Sequence, residues 1–136
     1  VLPFAAQTVC LPLFGLLPRY VYLCFDTGHF TFSKEDAVKA AKEFGPRIGH
    51  VHLKDIRPDM MEKAYAEGFK FRKAVLEGCF TIPGDGCVDY PGVFKALHDA
   101  HYEGWFIVEA EQDPAKANPL EYAKMAREYI KKTAGI

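Results

Sequence analysis

The sequence predicts an α/β fold in which parallel strands alternate with crossover helices. Three short runs rich in β-branched and aromatic residues, at 21–26, 48–54 and 105–111, are typical of strands. Each run is followed by a segment with helical periodicity or a helix-capping signal. Such alternation is characteristic of a parallel sheet with right-handed connections. In these sheets the active groups gather at the carboxyl ends of the strands, where the next connections begin.

The first strand, VYLCFD, ends at Asp26, and we expect a loop after it. Ser33 is the expected N-cap of the following helix, with Asp36 three residues later in an arrangement close to a capping box. Gly45 and Pro46 would stop this helix. Its predicted buried face consists of Ala37, Ala40, Ala41 and Phe44.

The second half of the chain contains shorter signals between the two later strands. We expect a helix within residues 61–78, a brief strand at 80–82 and a turn at 83–86, the PGDG segment. A further helix is predicted over residues 90–100. After the third strand, Asn118 is the expected cap of the last helix, because an asparagine precedes a proline at the first helical position.

Length and composition describe an ordinary globular chain. Its 136 residues allow at most one domain, and 49% apolar with 26% charged residues is typical of such domains. A net charge of -1 gives no support for nucleic acid or a membrane as partner. The four cysteines form no C-x-x-C pair, which favours reduced thiols and a cytoplasmic protein.

Residues 1–20 form an atypical apolar segment, and we expect the α/β domain to occupy residues 21–136. The segment has no basic leading region, and its three prolines would interrupt a membrane helix. We expect irregular, partly buried structure there. An alternative is that this stretch is not native to the sequence that follows.

Ionisable residues recur at the strand ends. Alternate residues of a strand share one face, so His50, His52 and Lys54 share a face of the second strand. Asp26 and Glu109 occupy matching positions in the first and third strands. Asp26, His52 and Glu109 would then converge at one edge of the sheet, and this set of oxygen and nitrogen ligands suits Mn²⁺, Co²⁺, Zn²⁺ or Mg²⁺.

Simpler interpretations of the same residues remain open at this point. An aspartate at a strand end is often a helix or turn cap. Two histidines on a strand are often polar residues on a wet face. Glu109, Glu111 and Asp113 are also compatible with a solvated acidic edge.

Four segments carry a resemblance to a known family: DTGHFTF, IGHVHLKDIR, FTIPGDGCVDY and YEGWFIVEAEQDPAKANPLEYAKMAREYI. Together they resemble the C-terminal part of the inosose dehydratases. These enzymes belong to the xylose-isomerase-like TIM barrels, with ketose 3-epimerases, hydroxypyruvate isomerases and a DNA-repair endonuclease. The resemblance covers about residues 21–133. It implies the C-terminal portion of a (β/α)8 barrel that is incomplete, because about 250 residues are typical of a whole one.

The resemblance implies a divalent metal, with Mn²⁺ or Co²⁺ first and Mg²⁺ or Zn²⁺ as alternatives. Members of this superfamily hold the metal with Glu, Asp, His and Glu from successive strands. The last three correspond to Asp26, His52 and Glu109. The first Glu would precede residues 21–26, yet residues 1–20 contain no Asp or Glu.

The resemblance also implies further roles around the metal. His29, Lys54 and Glu109 are the expected catalytic residues. His29 matches a position that contacts substrate, and Lys54 and His50 are further candidates for substrate binding. Glu111 joins them if the third strand continues straight.

The implied reaction is the removal of water from a keto-inositol through an enediolate, with a small polyol or keto-sugar as substrate. A ketose isomerase or epimerase on the same scaffold is one alternative, and a non-catalytic fragment is another. Three strands supply less than half of a closed barrel. We therefore expect this chain alone to be inactive on a keto-inositol, and to self-associate through its open sheet edges or aggregate.

Overall fold

A computed structural model of the chain describes Leu16 and residues 18–136, so most of the apolar segment predicted for residues 1–20 lies outside the described residues. The strands in the described part are β1 (Leu23–Asp26), β2 (Ile48–Leu53), β3 (Asp55–Ile56), β4 (Phe80–Thr81) and β5 (Phe106–Val108). The α-helices there are α1 (Thr27–Phe32), α2 (Ala37–Phe44), α3 (Pro58–Ala66), α4 (Phe71–Leu76), α5 (Tyr90–Asp99) and α6 (Pro119–Ala134).

The main sheet confirms the parallel α/β prediction. β2 lies between β1 and β5, and both pairings are parallel. The register sets Asp26 opposite His52, and Leu53 opposite Val108. The sheet is open within the described residues, and it does not close into a barrel.

The short strand at 80–82 is present as β4, but it pairs antiparallel with β3 rather than joining the parallel sheet. The chain between β3 and β4 folds into α3 and α4, which return it in the opposite direction. The single helix predicted within residues 61–78 is replaced in the structure by two helices, α3 and α4. Gly68 separates them with a φ of 63°, a left-handed conformation that ends α3 and that glycine adopts without steric strain.

Helices pack on one face of the parallel sheet and form the core. Phe25, Val51 and Leu53 are fully buried there, against α2 and α5. The predicted buried face of α2 is confirmed, since its four residues are all buried. The side chains that alternate with these core residues point to the opposite face, where the ionisable residues lie.

Two predictions for the segment after β1, a loop and a helix cap, require correction. No loop follows Asp26, because α1 begins at Thr27. Ser33 does not cap α2; its backbone N–H donates to the carbonyls of His29 and Phe30 and ends α1. Asp36 is the N-cap of α2, with Oδ1 accepting from the Lys39 N–H at 2.9 Å.

The third strand is shorter than predicted. β5 ends at Val108, although the Glu109 N–H still donates to the Leu53 carbonyl at 3.2 Å. Glu111 has a φ of 47°, which turns the backbone out of the extended conformation. The last helix begins as predicted, because Asn118 Oδ1 accepts from the N–H groups of Leu120 and Glu121.

The described residues also bear on two expectations about the environment of the chain. Cys24, Cys79 and Cys87 are free thiols. None of the helices among these residues combines the length and apolar character needed to cross a membrane.

Candidate metal and active site

The two carboxylate oxygens of Asp26 face different parts of the structure. Oδ1 accepts from the His29 N–H at 2.9 Å and caps α1, so the capping interpretation is correct for this oxygen. Oδ2 is buried and has no hydrogen-bond partner. It lies 3.1 Å from Lys54 Nζ and 3.5 Å from His52 Nδ1. One aspartate therefore ends a strand, starts a helix and presents its second oxygen to Lys54 and His52.

His52 and Glu109 meet Asp26 from the ends of the two other parallel strands. His52 Nδ1 lies 3.0 Å from Glu109 Oε2. One ligand atom from each of the three residues lies within 4.8 Å of the others. The structure thus brings together the three side chains that strand alternation places at one edge of the sheet.

The chemistry of this group fits a divalent cation. Two carboxylates and an imidazole are ligands that Mn²⁺, Co²⁺, Zn²⁺ and Mg²⁺ accept to different degrees. A buried polar atom without a hydrogen bond is unfavourable, and Asp26 Oδ2 makes no hydrogen bond, although the Lys54 ammonium lies 3.1 Å away. A cation held by Asp26, His52 and Glu109 would bind this oxygen directly.

Lys54 lies at the centre of the site, with a side chain that is completely buried. Its Nζ is 2.5 Å from Glu111 Oε2, 3.0 Å from Glu109 Oε2 and 3.1 Å from His29 Nε2, besides the contact with Asp26. Burial by itself would lower the pKa of Lys54. The surrounding carboxylates outweigh burial and raise this pKa, so the ammonium stays charged.

The pKa of Glu109 shifts in the opposite direction to that of Lys54. Burial raises the pKa of its carboxyl, but the hydrogen bond and charge of Lys54, followed by the charge of His52, outweigh this effect and lower the pKa overall. The side chain is 39% exposed. Glu109 is therefore ionised, which is the state in which a carboxylate can bind a metal.

The formal charges of the site do not balance. Asp26, Glu109 and Glu111 contribute three carboxylates around the single ammonium of Lys54. With neutral imidazoles, two negative charges remain uncompensated. A divalent cation bound there would neutralise both charges, and this is a second argument, besides ligand chemistry, for a metal at this site.

The remaining predicted site residues surround this centre. His29 Nε2 lies 3.8 Å from both Asp26 Oδ2 and Glu111 Oε2, near the three-residue group but outside it. Glu111 reaches Lys54 although its strand does not continue straight. His50 lies further from the strand end, with its ring edge-on to that of His52 at a centroid distance of 5.2 Å.

Sequence reasoning assigned no role in the site to Thr27 or Tyr90, and it expected of Gly28 only that it lets the backbone turn back over the strand end. Thr27 Oγ1 donates to the Lys54 carbonyl at 2.7 Å and accepts from the Lys54 N–H at 3.0 Å. The Tyr90 hydroxyl lies 3.1 Å from the same oxygen. A Cβ on Gly28 would come within 2.6 Å of Lys54 Cγ, so the lysine stem lies where only glycine leaves room. The Thr-Gly pair between Asp26 and His29 was the available signal.

A second buried carboxylate, Asp55, explains the PGDG segment. Its Oδ1 accepts from the N–H groups of Ile56 at 2.8 Å and Val88 at 2.9 Å, and its Oδ2 accepts from Gly84 at 3.1 Å. A Cβ on Gly86 would come within 2.3 Å of Asp55 Oδ1. Burial raises the pKa of Asp55, although the backbone donors oppose the change. The PGDG loop is folded around the Asp55 side chain. Neither the loop nor Asp55 belongs to the group formed by Asp26, His52 and Glu109.

Sequence comparisons relate the chain to sugar-active barrel enzymes. A family profile described as xylose isomerase-like TIM barrel matches residues 15–133. Curated inosose dehydratases are similar: that of Clostridium beijerinckii is 55% identical over 116 residues, which are 85% of this chain and 39% of the relative. That of Klebsiella pneumoniae is 50% identical over 125 residues, 90% of this chain and 42% of the relative. The chain spans about two fifths of the length of these relatives.

A structural comparison agrees on the fold. D-allulose 3-epimerase from Methylomonas sp. matches with a TM-score of 0.51 at 24% identity, covering 82% of this chain and 37% of that one. A complex of the same epimerase with D-allulose matches equally well, covering 36% of that chain. At this identity the likeness concerns the fold alone.

Proposed function

Because the chain belongs to the xylose isomerase-like TIM barrel family, we propose that it carries the metal-binding end of a dehydratase that removes water from a keto-inositol. The observation behind this proposal is the convergence of Asp26, His52 and Glu109 at the ends of three parallel strands, with a buried oxygen of Asp26 that makes no hydrogen bond. The similarity to inosose dehydratases at 50–55% identity supports the choice of reaction.

Asp26, His52 and Glu109 would hold the metal, with Mn²⁺ or Co²⁺ as the proposed ion. A divalent metal there would supply Lewis-acid polarisation of the substrate ketone, which acidifies the hydrogen on the adjacent carbon. The strand ends already bring the two carboxylates and the imidazole within 4.8 Å of one another. This arrangement requires no rearrangement of the strand ends before binding.

The side chains around the metal group would move the protons. A carboxylate, Glu109 or Glu111, removes the hydrogen next to the ketone, and an enediolate forms. The C–O bond to the β-hydroxyl then breaks, and the departing oxygen takes a proton from Lys54 or His29 to leave as water. The proton gained by the carboxylate and the proton lost by the acid balance, so the protein returns to its starting state after one proton transfer.

Lys54 is suited to connect the two proton-transfer groups. Its ammonium contacts Glu109 and Glu111 on one side and His29 on the other, all within 3.1 Å. His29 is about half exposed and can exchange protons with solvent, whereas Lys54 is buried. Because Lys54 is already an ammonium, the relay requires that it release one of its own protons to His29 and then take up the proton held by the carboxylate.

A chimera tests this function in an intact barrel. The matching 116 residues of the Clostridium beijerinckii enzyme are replaced by those of this chain, and the product formed from inosose with added Mn²⁺ is followed by NMR. We expect a dehydrated product, and none after Asp26→Asn. Conversion of a ketose to its epimer would favour the epimerase alternative. A folded, Mn²⁺-binding chimera without activity on inosose would contradict the proposal.

The same chimera separates His29 from the metal ligands. We expect His29→Ala to lower turnover strongly while the Mn²⁺ content stays near one ion per chain. The matched control is His98→Ala, since His98 is an exposed histidine on α5. Equal losses of turnover and metal in the His29 variant would make it a ligand instead.

A further inference from the structure

We propose that Lys54 is a built-in cation that occupies the metal-ligand oxygens in the metal-free protein, and that a divalent metal binds by displacing its ammonium towards Glu111. This inference rests on the proposed metal site. It goes beyond that site in proposing a charge-exchange step, in which a metal replaces the Lys54 ammonium, and this step sets the metal affinity.

The first argument is that the ammonium and the metal would share the same atoms. Lys54 Nζ lies 3.1 Å from Asp26 Oδ2 and 3.0 Å from Glu109 Oε2. These two oxygens are also the ones that face His52 Nδ1, at 3.5 Å and 3.0 Å. Metal ligands lie about 2.0–2.3 Å from the ion, so a metal between these atoms would be held against the ammonium, and two like charges repel.

The second argument is that a separate partner for the ammonium is already in place. Glu111 Oε2 makes the shortest contact with Lys54 Nζ, at 2.5 Å. Glu111 is outside the group that could hold a metal among the described residues. Lys54 can therefore release Asp26 and Glu109 and still be paired with a carboxylate.

The third argument is that the lysine cannot leave the site. Its side chain is completely buried, and its stem packs against Gly28, where an added Cβ would clash with Cγ at 2.6 Å. Thr27 holds the Lys54 backbone with two hydrogen bonds. Only the end of the side chain is free to shift, so the exchange of partners is local.

The test compares Mn²⁺ binding by the chimera described above and its variants, with free Mn²⁺ measured by EPR; the unmodified chain here and below is this chain within that chimera, without substitutions. Lys54→Met removes the competing charge while keeping a long apolar stem. We expect it to bind Mn²⁺ at least about tenfold more tightly than the unmodified chain, a difference of about 1.4 kcal/mol. Lys42→Met, on the exposed side of α2, is the matched control and should leave the affinity unchanged.

Glu111→Gln provides a second arm through a double-mutant cycle. Without Glu111 the ammonium has fewer alternatives to Asp26 and Glu109, so Mn²⁺ affinity should fall. The fall should be smaller in the Lys54→Met background, where only the general loss of one negative charge remains. Equal losses in the two backgrounds would overturn the proposed role of Glu111.

Thermal unfolding keeps the test decisive if Lys54→Met is unstable without metal. Because a ligand that binds the folded state stabilises it, Mn²⁺ should raise the Tm of Lys54→Met more than that of the unmodified chain. A variant that remains unfolded in saturating Mn²⁺ would contradict the proposal, since the metal should replace the lost charge.

The outcomes also separate this inference from the proposed function. If the unmodified chain binds Mn²⁺ through Asp26 but Lys54→Met binds no more tightly, the charge-exchange step is wrong and the metal site stands. If neither protein binds Mn²⁺, the metal site and this inference both fail.

Discussion

Asp26 and Asp55 are both buried carboxylates, and they differ in what their oxygens contact. Both oxygens of Asp55 accept hydrogen bonds from backbone N–H groups, which belong to its own strand, to the PGDG loop and to Val88 just after that loop. Asp26 uses one oxygen to cap α1 and leaves the other without a hydrogen bond. Burial of an aspartate therefore does not by itself identify a site. What distinguishes Asp26 is that its second oxygen faces charged and titratable side chains, Lys54 and His52, rather than backbone N–H groups.

The surroundings of the two residues differ in the same sense. Backbone N–H groups satisfy the Asp55 carboxylate, and these hydrogen bonds hold the PGDG loop in place. The region of Asp26 concentrates three carboxylates, one ammonium and two imidazoles, with two negative charges left over. We expect substitutions in the first region to change stability, and substitutions in the second to change metal binding.

The largest expected effect is on stability, from Asp55→Ala. The substitution leaves the buried N–H groups of Ile56 and Val88 without their acceptor, besides that of Gly84 nearer the surface, and each unsatisfied buried group costs about 1–3 kcal/mol. We expect the free energy of unfolding, measured by urea denaturation, to fall by about 3 kcal/mol. A loss below about 1 kcal/mol would show that the loop does not depend on Asp55.

Asp26→Asn is the opposite case. Asparagine caps a helix about as well as aspartate, so the free energy of unfolding should change by less than about 1 kcal/mol. The ligand charge is lost, and Mn²⁺ affinity should fall at least about 100-fold, or about 2.8 kcal/mol. If the variant kept its Mn²⁺ affinity, Asp26 would not be a metal ligand. If it lost much of its stability, Asp26 would be a structural residue like Asp55.

The sequence was sufficient to predict the convergence of Asp26, His52 and Glu109, because period-two alternation and a parallel register determine which strand-end side chains meet. It was insufficient for Asp55, because the donors to its carboxylate are backbone groups 29 and 33 residues further along the chain. Backbone donors leave no mark in residue types, apart from the glycines that make room for them. The contact of Glu111 with Lys54 was anticipated from a straight strand, yet the structure reaches it through a turned backbone.

The helix boundaries show a similar limit. The apolar face of α2 was predictable from spacing alone. The correct cap was not, because Ser33 and Asp36 both match the preference for a capping side chain. The backbone of Ser33 is instead used to end α1, a short helix that the strand-to-loop prediction did not anticipate.

A pH titration of stability sharpens the comparison by isolating Asp55. Burial raises the pKa of Asp55 above its ordinary value of 3.8 in the folded chain, so the folded state binds this proton more tightly than the unfolded state. This contribution to stability is fully present below pH 3.8 and is lost as pH rises through the raised pKa. The difference in free energy of unfolding between the unmodified chain and Asp55→Asn should therefore decrease above that pH. A difference that increases with pH would mean that the backbone donors outweigh burial.

The smallest expected effect is that of Tyr90→Phe, which links the core to the site through Thr27. The variant removes the hydrogen bond to Thr27 Oγ1, while both bonds between Thr27 and the Lys54 backbone remain. We expect a loss of about 0.5–1.5 kcal/mol in the free energy of unfolding and unchanged Mn²⁺ affinity. A marked drop in affinity would show that Tyr90 positions Lys54.

The most direct test of the metal site is anomalous diffraction from crystals of the chimera grown with Mn²⁺. We predict one strong anomalous peak about 2.0–2.3 Å from oxygens of Asp26 and Glu109 and from a ring nitrogen of His52. In the same map, Lys54 should contact Glu111 and no longer contact Asp26. An empty position among these three side chains in saturating Mn²⁺, or a peak held elsewhere, would contradict the account.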